Sequence, residues 1–169
     1  ELSHLSFRGN LITNLEVITA EYYLPGTEIL SYRLDTPFNT SLLPKLNTLD
    51  LGENFVTEVP VGFFRSMPGL NSVYLDNNRI NQEGLPQGVF DAVEGLSVIS
   101  LSYNQLSETP SSIKSLEYLN ALYVKGNLLT FLKEGTFQGT ASLSYLDLSD
   151  NNIISIEDET FPTSLTYLD

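Results

Sequence analysis

The side chains best suited to chemistry in this 169-residue chain are its nine tyrosines and its 21 acidic residues. Few residues could act as catalytic nucleophile or base, because the chain has no cysteine and a single histidine, His4, with no carboxylate partner evident in the sequence. The sequence contains neither a nucleophile elbow nor a phosphate-binding glycine loop. Its acidic clusters around Asp147 and at residues 157–159 do not match a calcium loop. We therefore expect no enzyme, no metal site and no cofactor, and favour noncovalent recognition.

A repeated apolar pattern positions these side chains. Six segments follow the pattern LxxLxLxxNxL, with related apolar residues at some leucine positions, and a seventh begins before the chain stops. The middle leucines alternate as in a short strand, so they point inward while the residues between them point outward. Because one copy cannot bury its own apolar side, the copies must stack into a repeat solenoid. The copies start at Leu2, Leu46, Leu70, Leu96, Leu119, Leu143 and Leu165.

This pattern resembles the leucine-rich repeat family along nearly the whole chain. After a first gap of 44 residues, successive copies start 22 to 26 residues apart, which lies within the range of that family. The resemblance implies one domain over residues 1–169, an α/β repeat solenoid of about eight right-handed coils. Its expected shape is a horseshoe with a concave parallel β-sheet and an irregular or 3₁₀ convex side. Residues 59–64 and 85–90 are similar to return segments of Toll-like receptors and variable lymphocyte receptors, whereas residues 109–113 resemble those of intracellular scaffolds.

Residues 13–45 interrupt the regular spacing. The gap of 44 residues is close to two periods, and long structureless loops are uncommon, so we expect a degenerate coil there. The alternative is one coil that carries a long insertion.

Asn39, Thr40 and Ser41 form an N-glycosylation sequon, a weak candidate for modification. Because the chain begins and ends inside a repeat and shows no signal-peptide pattern, we interpret it as a fragment of a longer protein.

Two residue columns are predicted to be structural. An asparagine recurs at the turn of each copy, where its amide can pair with backbone groups of its own coil and of the next one. An apolar residue recurs in the return segments and is expected to stack near the convex side. The asparagine column is Asn10, Asn54, Asn78, Asn104, Asn127 and Asn151, and the apolar column is Phe64, Phe90, Ile113, Phe137 and Phe161.

The residues between the leucines are the candidate ligand contacts. Five of the nine tyrosines and none of the nine phenylalanines fall at these positions. Tyrosine combines a large ring with a hydroxyl that tolerates water, which suits a recognition surface, although it is also a good cross-strand neighbour in any sheet. We expect the ligand-binding residues to be Asp50, Tyr74, Asp76, Ser100, Ser102, Tyr103, Tyr123, Lys125, Tyr145 and Asp147.

Charge limits the class of partner. Acidic residues outnumber basic ones between the leucines, so the ligand is expected to carry positive charge. The formal net charge of −13 disfavours nucleic acid and anionic membrane surfaces as partners.

No apolar run approaches the ~18 residues of a membrane-spanning helix, so membrane attachment would come only from regions absent from this sequence. Open end coils predict end-to-end or homo-oligomeric association.

The resemblance implies a function as well as a fold. The expected function is a ligand-recognition segment of an extracellular or cell-surface receptor ectodomain, as in Toll-like receptors and receptor-like kinases. In that role the concave face binds a peptide or protein and contributes to signal transduction. The alternative is a cytoplasmic scaffold for protein–protein interaction.

Overall fold

Short parallel strands form the main sheet of the protein. The computed structural model describes residues 2–15, 20–21, 31–32 and 43–169. Seven of its strands lie side by side and parallel, one from each copy of the repeated pattern. This arrangement confirms the predicted repeat solenoid. In order across the sheet the strands are β1 (His4–Ser6), β4 (Thr48–Asp50), β5 (Ser72–Tyr74), β6 (Val98–Ser100), β7 (Ala121–Tyr123), β9 (Tyr145–Asp147) and β11 (Tyr167–Leu168).

The return segments contain little regular structure. Three short 3₁₀ helices lie there, Phe63–Ser66, Gln82–Gly84 and Ser111–Ser115, and the described residues contain no α-helix. The Asn81 side chain caps the second of these helices by accepting hydrogen bonds from the backbone of Glu83 and Gly84. Across the described residues, no helix is long and apolar enough to cross a membrane. The remaining strands form two small sheets, a parallel pair of β8 (Phe131–Leu132) and β10 (Ser155–Ile156) and an antiparallel pair of β2 (Ala20–Glu21) and β3 (Ser31–Tyr32).

The first two copies of the pattern are neighbours in the main sheet, although their starts are 44 residues apart. Strand β1 pairs directly with β4, with His4 opposite Thr48 and Ser6 opposite Asp50. The expected degenerate coil and its alternative, one coil with a long insertion, both concern residues 13–45. Most of residues 13–45, including Asn39 and its sequon, lie outside the described residues.

The core lies between the sheet and the return segments. The inward leucines and their equivalents from the second to the sixth copy are almost fully buried, except Ile153 of the sixth copy, which is partly exposed. The rings of Phe64 and Phe90 stack with their centroids 5.5 Å apart, and those of Phe137 and Phe161 stack at 6.1 Å. Ile113, which comes between these two pairs along the sequence, is fully buried. Burial of such side chains stabilises the fold by about 1.5–3 kcal/mol each.

The asparagine side chains join neighbouring coils. Asn104 is typical: its Nδ2 donates to the backbone oxygen of Leu75 in the preceding coil at 2.9 Å and to that of Leu101 in its own coil at 3.1 Å. Its Oδ1 accepts a hydrogen bond from the Ile80 amide at 2.9 Å. The same three kinds of bond recur at Asn54, Asn78, Asn127 and Asn151. Asn10 differs, because it is exposed and its amide donates only within its own coil.

The residue just before each asparagine has a left-handed backbone. Glycine occupies this position twice, and an L-residue with a side chain occupies it four times, with φ between 53° and 56°. A bulky residue is rare in this conformation and costs about 1 kcal/mol or more. Tyr103, with φ 55°, is therefore held in a strained backbone by the turn that Asn104 closes. The six positions are Gly9, Glu53, Asn77, Tyr103, Gly126 and Asp150.

Candidate functional site

Strand register brings half of the predicted ligand contacts into one row. Each strand of the main sheet lies in register with its neighbour, so residues at the same point of the pattern are direct cross-strand partners. We call the resulting line of outward residues the central row. It consists of Asp50, Tyr74, Ser100, Tyr123 and Asp147. The other five predicted contacts lie in the same strands or in the turns that follow them.

Two of the predicted acidic contacts are already engaged within the protein. Arg8 reaches across from the first coil, and its Nε lies 2.8 Å from Asp50 Oδ2. Its two terminal nitrogens lie 2.8 Å from Asp76 Oδ1 and 3.0 Å from Glu53 Oε1. One guanidinium thus serves three carboxylates, a geometry for which arginine is well suited. These three acidic residues and Arg8 form what we call the Arg8 cluster.

Ionisation in the Arg8 cluster follows from these contacts. Burial opposes the charged form of Asp76, but hydrogen bonds from Arg8 and from the Asn77 side chain outweigh it and hold the pKa of Asp76 below its ordinary value. Hydrogen bonds to Asp76 and then to Asp50 raise the pKa of Arg8 further above its usual range. The cluster is consequently a set of mutually satisfied charges at neutral pH. Its acidic groups are not free to meet a basic ligand unless Arg8 moves.

Three tyrosine rings form a continuous surface on the other half of the sheet. Tyr145 lies between two of them, with its ring centroid 5.0 Å from that of Tyr123 and 4.3 Å from that of Tyr167. The Tyr145 and Tyr167 rings are nearly parallel, at 4°, because these residues are direct partners in strands β9 and β11. Burial by its neighbours, together with the nearby Tyr167 hydroxyl, raises the pKa of Tyr145. We call Tyr123, Tyr145 and Tyr167 the tyrosine stack.

The charged residues beside the tyrosine stack are partly engaged as well. Lys125 Nζ lies 3.2 Å from Asp150 Oδ2, and the hydrogen bond from this lysine to Asp150 raises the pKa of Lys125. Asp147 Oδ1 accepts hydrogen bonds from both the amide and the hydroxyl of Ser149, at 3.0 and 2.6 Å. The other carboxylate oxygen of Asp147 accepts no hydrogen bond from the described residues. Asp147 therefore keeps acceptor capacity that a ligand can use.

The two predicted serine contacts lie deeper than the sequence suggests. Ser100 and Ser102 are each only 8% exposed, and Ser100 stands between Tyr74 and Tyr123 of the flanking strands. Neither hydroxyl has a hydrogen-bond partner among the described residues. Tyr103 is by contrast 47% exposed. Its ring lies over Gly126, where an added Cβ would come within 2.5 Å of the Tyr103 ring.

Four residues of this surface that are missing from the predicted set each contact a predicted residue directly. All lie between leucines of the pattern; they are Arg8, Ser149, Asp150 and Tyr167. Their position in the pattern is the signal that identifies them, but their partners depend on side-chain direction. His4 is exposed, and its Nδ1 lies 2.9 Å from the Ser3 hydroxyl. In the part of the chain that the structure describes, no group of three or more metal-ligating side chains comes together.

Comparison with known proteins identifies the relatives of this chain. The family model described as leucine rich repeat matches residues 44–106 and 117–169. Podocan-like protein 1 of Mus musculus is 38% identical over 151 residues, which covers 75% of this chain and 27% of that protein. Leucine-rich repeat-containing G-protein coupled receptor 5 of Rattus norvegicus is 36% identical over 130 residues, covering 75% of this chain and 14% of the receptor. The chain thus spans about a quarter or less of these relatives.

Solved structures share the same architecture. The Listeria monocytogenes protein InlP superposes with a TM-score of 0.63 at 29% identity, over 74% of this chain and 34% of that one. A chain of the TLR13–ssRNA13 complex superposes with a TM-score of 0.58 at 24% identity, over 75% of this chain and 21% of that one. The second likeness concerns the fold alone.

The relatives also indicate a location. They include non-enzymatic proteins of the extracellular matrix and a cell-surface receptor. They support an extracellular or cell-surface location for this chain, rather than the cytoplasmic alternative.

Proposed function

Because the chain belongs to the leucine-rich repeat family, we propose that it is a ligand-recognition segment that binds a protein or peptide on its concave sheet. The proposal places it in an extracellular or cell-surface protein and includes a role in receptor signalling. The observation that carries it is the tyrosine stack, three rings in contact on the open face of the sheet. Stacked tyrosines combine apolar area with hydroxyls that tolerate water, as recognition surfaces require.

The distribution of aromatic residues supports a binding role over simple sheet packing. The described phenylalanines of the repeat pack mainly in the core, and Phe64 is fully buried. Tyr103 and Tyr167 keep 47% and 46% of their surface exposed. Tyr103 also occupies a strained left-handed turn position that two other coils fill with glycine. A large exposed ring at a position that favours glycine is consistent with a contact residue, since glycine would serve the fold equally well.

The charge of the partner is part of the proposal. The partner is expected to carry positive charge, since the chain has a net charge of −13 and one Asp147 oxygen accepts no bond from the described residues. The Arg8 cluster contributes to the long-range field but offers no free carboxylate in its paired state. The positive end of the ligand is therefore expected beside Asp147 rather than beside Asp76.

A displayed peptide library tests this function even though the natural partner is unidentified. Random peptides are selected on the immobilised chain, and the enriched sequences are remeasured on the Tyr103→Ala/Tyr123→Ala double variant. We expect each selected peptide to bind the double variant about tenfold more weakly or worse, the usual cost of losing an interface anchor. The matched control is Val61→Ala/Tyr118→Ala, which truncates exposed residues outside the sheet strands. Equal binding to the parent and to the Tyr103/Tyr123 variant contradicts the proposal, as does enrichment no greater than on a surface without protein.

A further inference from the structure

The central row has a gap between two tyrosines. Tyr74, Ser100 and Tyr123 are direct cross-strand partners on β5, β6 and β7, so a small side chain stands between two large ones. Two strand spacings separate the tyrosine backbones by about 9.6 Å. Ser72 and Ala121, which lie diagonally from Ser100 as the cross-strand partners of Val98, are small as well. We call the space above Ser100 the Ser100 slot.

The tyrosine stack shows which group fits a space of this width. Tyr145 stands between two rings whose centroids lie 5.0 Å away at a tilt of 41° and 4.3 Å away at 4°. The two distances together are close to the backbone separation of Tyr74 from Tyr123. A planar ring above Ser100 would thus have one aromatic neighbour on each side at an ordinary stacking distance. Only 8% of Ser100 is exposed, so the slot is narrow, and a flat group enters it more readily than a branched aliphatic one.

The floor of the slot has unused hydrogen-bonding capacity. The hydroxyls of Ser100 and Ser102 have no hydrogen-bond partner among the described residues. Neither is one of the buried unpaired side-chain oxygens of those residues, which belong to Ser66, Thr109 and Ser112. A ligand that carries a donor or acceptor at the edge of its ring would pair with the Ser100 and Ser102 hydroxyls.

The charges on both sides of the slot are directed away from it. Asp76 lies in the turn after β5, on one side of Ser102, and both of its carboxylate oxygens bind Arg8. Lys125 lies in the turn after β7, on the other side, and pairs with Asp150 of the next coil. The slot itself is therefore lined by phenol rings and hydroxyls, without an unpaired charge on its flanking turn residues. A guanidinium or ammonium group would meet the faces of two phenol rings but no free carboxylate there. An uncharged ring loses less hydration on entering the slot, so this lining favours it.

We propose that the Ser100 slot is a subsite for one uncharged aromatic side chain of the partner, which stacks between Tyr74 and Tyr123 and bonds to the serine hydroxyls. This inference rests on the proposed function and adds the chemistry of the group at its centre. The positive charge expected of the partner then lies outside the slot, toward Asp147. Tyrosine and tryptophan suit the slot best, because each combines a flat ring with a polar edge.

Tryptophan fluorescence provides a direct test, because the chain contains no tryptophan. N-acetyl-tryptophanamide is titrated with the protein, and its anisotropy is followed at an excitation where tyrosine absorbs little. We expect a saturable rise, competition by N-acetyl-tyrosinamide, and no competition by N-acetyl-argininamide or N-acetyl-leucinamide at the same concentration. Truncation at Tyr74→Ala should weaken binding by about two- to tenfold, the range for loss of one aromatic pair.

Filling the slot is the decisive variant. Ser100→Tyr adds a third tyrosine to a row that already accepts two in register, so the protein should fold with an unchanged or higher melting temperature. Binding of N-acetyl-tryptophanamide should fall at least about tenfold, and Ser107→Tyr, at an exposed position outside the sheet strands, should leave it unchanged. A folded Ser100→Tyr protein that binds like the parent overturns the proposal, as does stronger competition by N-acetyl-argininamide than by N-acetyl-tyrosinamide.

The library peptides separate this proposal from the function on which it rests. Peptides that lose binding to both Tyr103→Ala/Tyr123→Ala and Ser100→Tyr support both proposals. Peptides that lose binding only to the tyrosine double variant support the concave-face function and refute the slot. Peptides that bind every variant equally refute the function, and in that case the amide titration decides the slot on its own.

Discussion

Replacing Asn127 with alanine tests how the coils are held together. Asn127 is 2% exposed. Its Nδ2 donates to the backbone oxygens of Leu101, Val124 and Lys125 at 3.0 to 3.3 Å, and its Oδ1 accepts from the Leu106 amide at 3.1 Å. Alanine removes all four hydrogen bonds. The cost depends on which of the four partners is left without another bond.

The four partners differ in whether they keep another hydrogen bond when Asn127 is replaced. The Leu101 oxygen also accepts from Asn104, the Val124 oxygen from Asn151, and the Lys125 oxygen from the Tyr103 amide. Leu106 is fully buried, and among the described residues its amide has only Asn127 as a hydrogen-bond acceptor. One orphaned buried N–H costs about 1–3 kcal/mol, and the three weakened carbonyls bring the expected loss to about 2–4 kcal/mol.

Urea unfolding followed by circular dichroism measures this loss. For a chain of this length it corresponds to a fall in melting temperature of about 4–16 °C. Asn10→Ala is the matched control, because Asn10 is exposed and, among the described residues, its amide bonds only the Phe7 and Arg8 oxygens of its own coil. It should cost less than about 1 kcal/mol. A loss at Asn127 no greater than at Asn10 would refute the reasoning about cross-coil hydrogen bonds.

Three further substitutions test other parts of the account. Arg8→Ala should lower stability by about 1–3 kcal/mol at neutral pH, with Arg65→Ala as the control. Because the pKa of Asp76 is lowered in the folded state, the stability lost in Arg8→Ala should be largest above the ordinary carboxyl pKa. This loss should shrink as the pH falls through the lowered pKa of Asp76. A loss of stability that does not depend on pH contradicts the prediction. Phe64→Ala should cost about 3–5 kcal/mol, because Phe64 is fully buried, whereas Phe131→Ala, at a half-exposed ring, should cost far less; equal melting temperatures would rule out the stacked core. Gly139→Ala should lower the free energy of unfolding by at least about 1–2 kcal/mol, because the φ of Gly139 is 91° and a Cβ there would collide with the Lys114 oxygen. Gly95→Ala is the control, because Gly95 has open space around it. Equal stability of the two variants would contradict the close approach of Gly139 to Lys114.

The repeated pattern predicts much of this fold because it combines two periodicities. Alternation at Leu146 and Leu148 predicts a strand, and the recurrence of the pattern predicts parallel pairing with the next copy. Register then follows, since each copy must bury the same residues. The long first gap could not be predicted in the same way. Two periods and one insertion have the same length, and the sequence pattern does not distinguish them.

The candidate site was predictable as a set of positions but not as a set of contacts. The pattern assigns Arg8, Asp50 and Asp76 to one face, yet Arg8 follows β1 and Asp76 follows β5, with β4 between these strands in the sheet. Their ion pair depends on how far a long side chain reaches. Burial of Ser100 depends likewise on the size of its cross-strand neighbours rather than on its own type. The left-handed turn position had a readable signal, since Gly9, Asn77 and Gly126 occupy it.

Mapping a selected peptide onto the labelled chain by NMR tests the central claim most directly. We predict that the largest chemical-shift changes fall on strands β5 to β9 and on the turns after them, at Tyr74, Ser100, Tyr103, Tyr123 and Tyr145. The 3₁₀ helices Phe63–Ser66 and Ser111–Ser115 should be unaffected. Changes confined to the return segments, with the central row and the tyrosine stack unperturbed, would contradict recognition on the concave sheet.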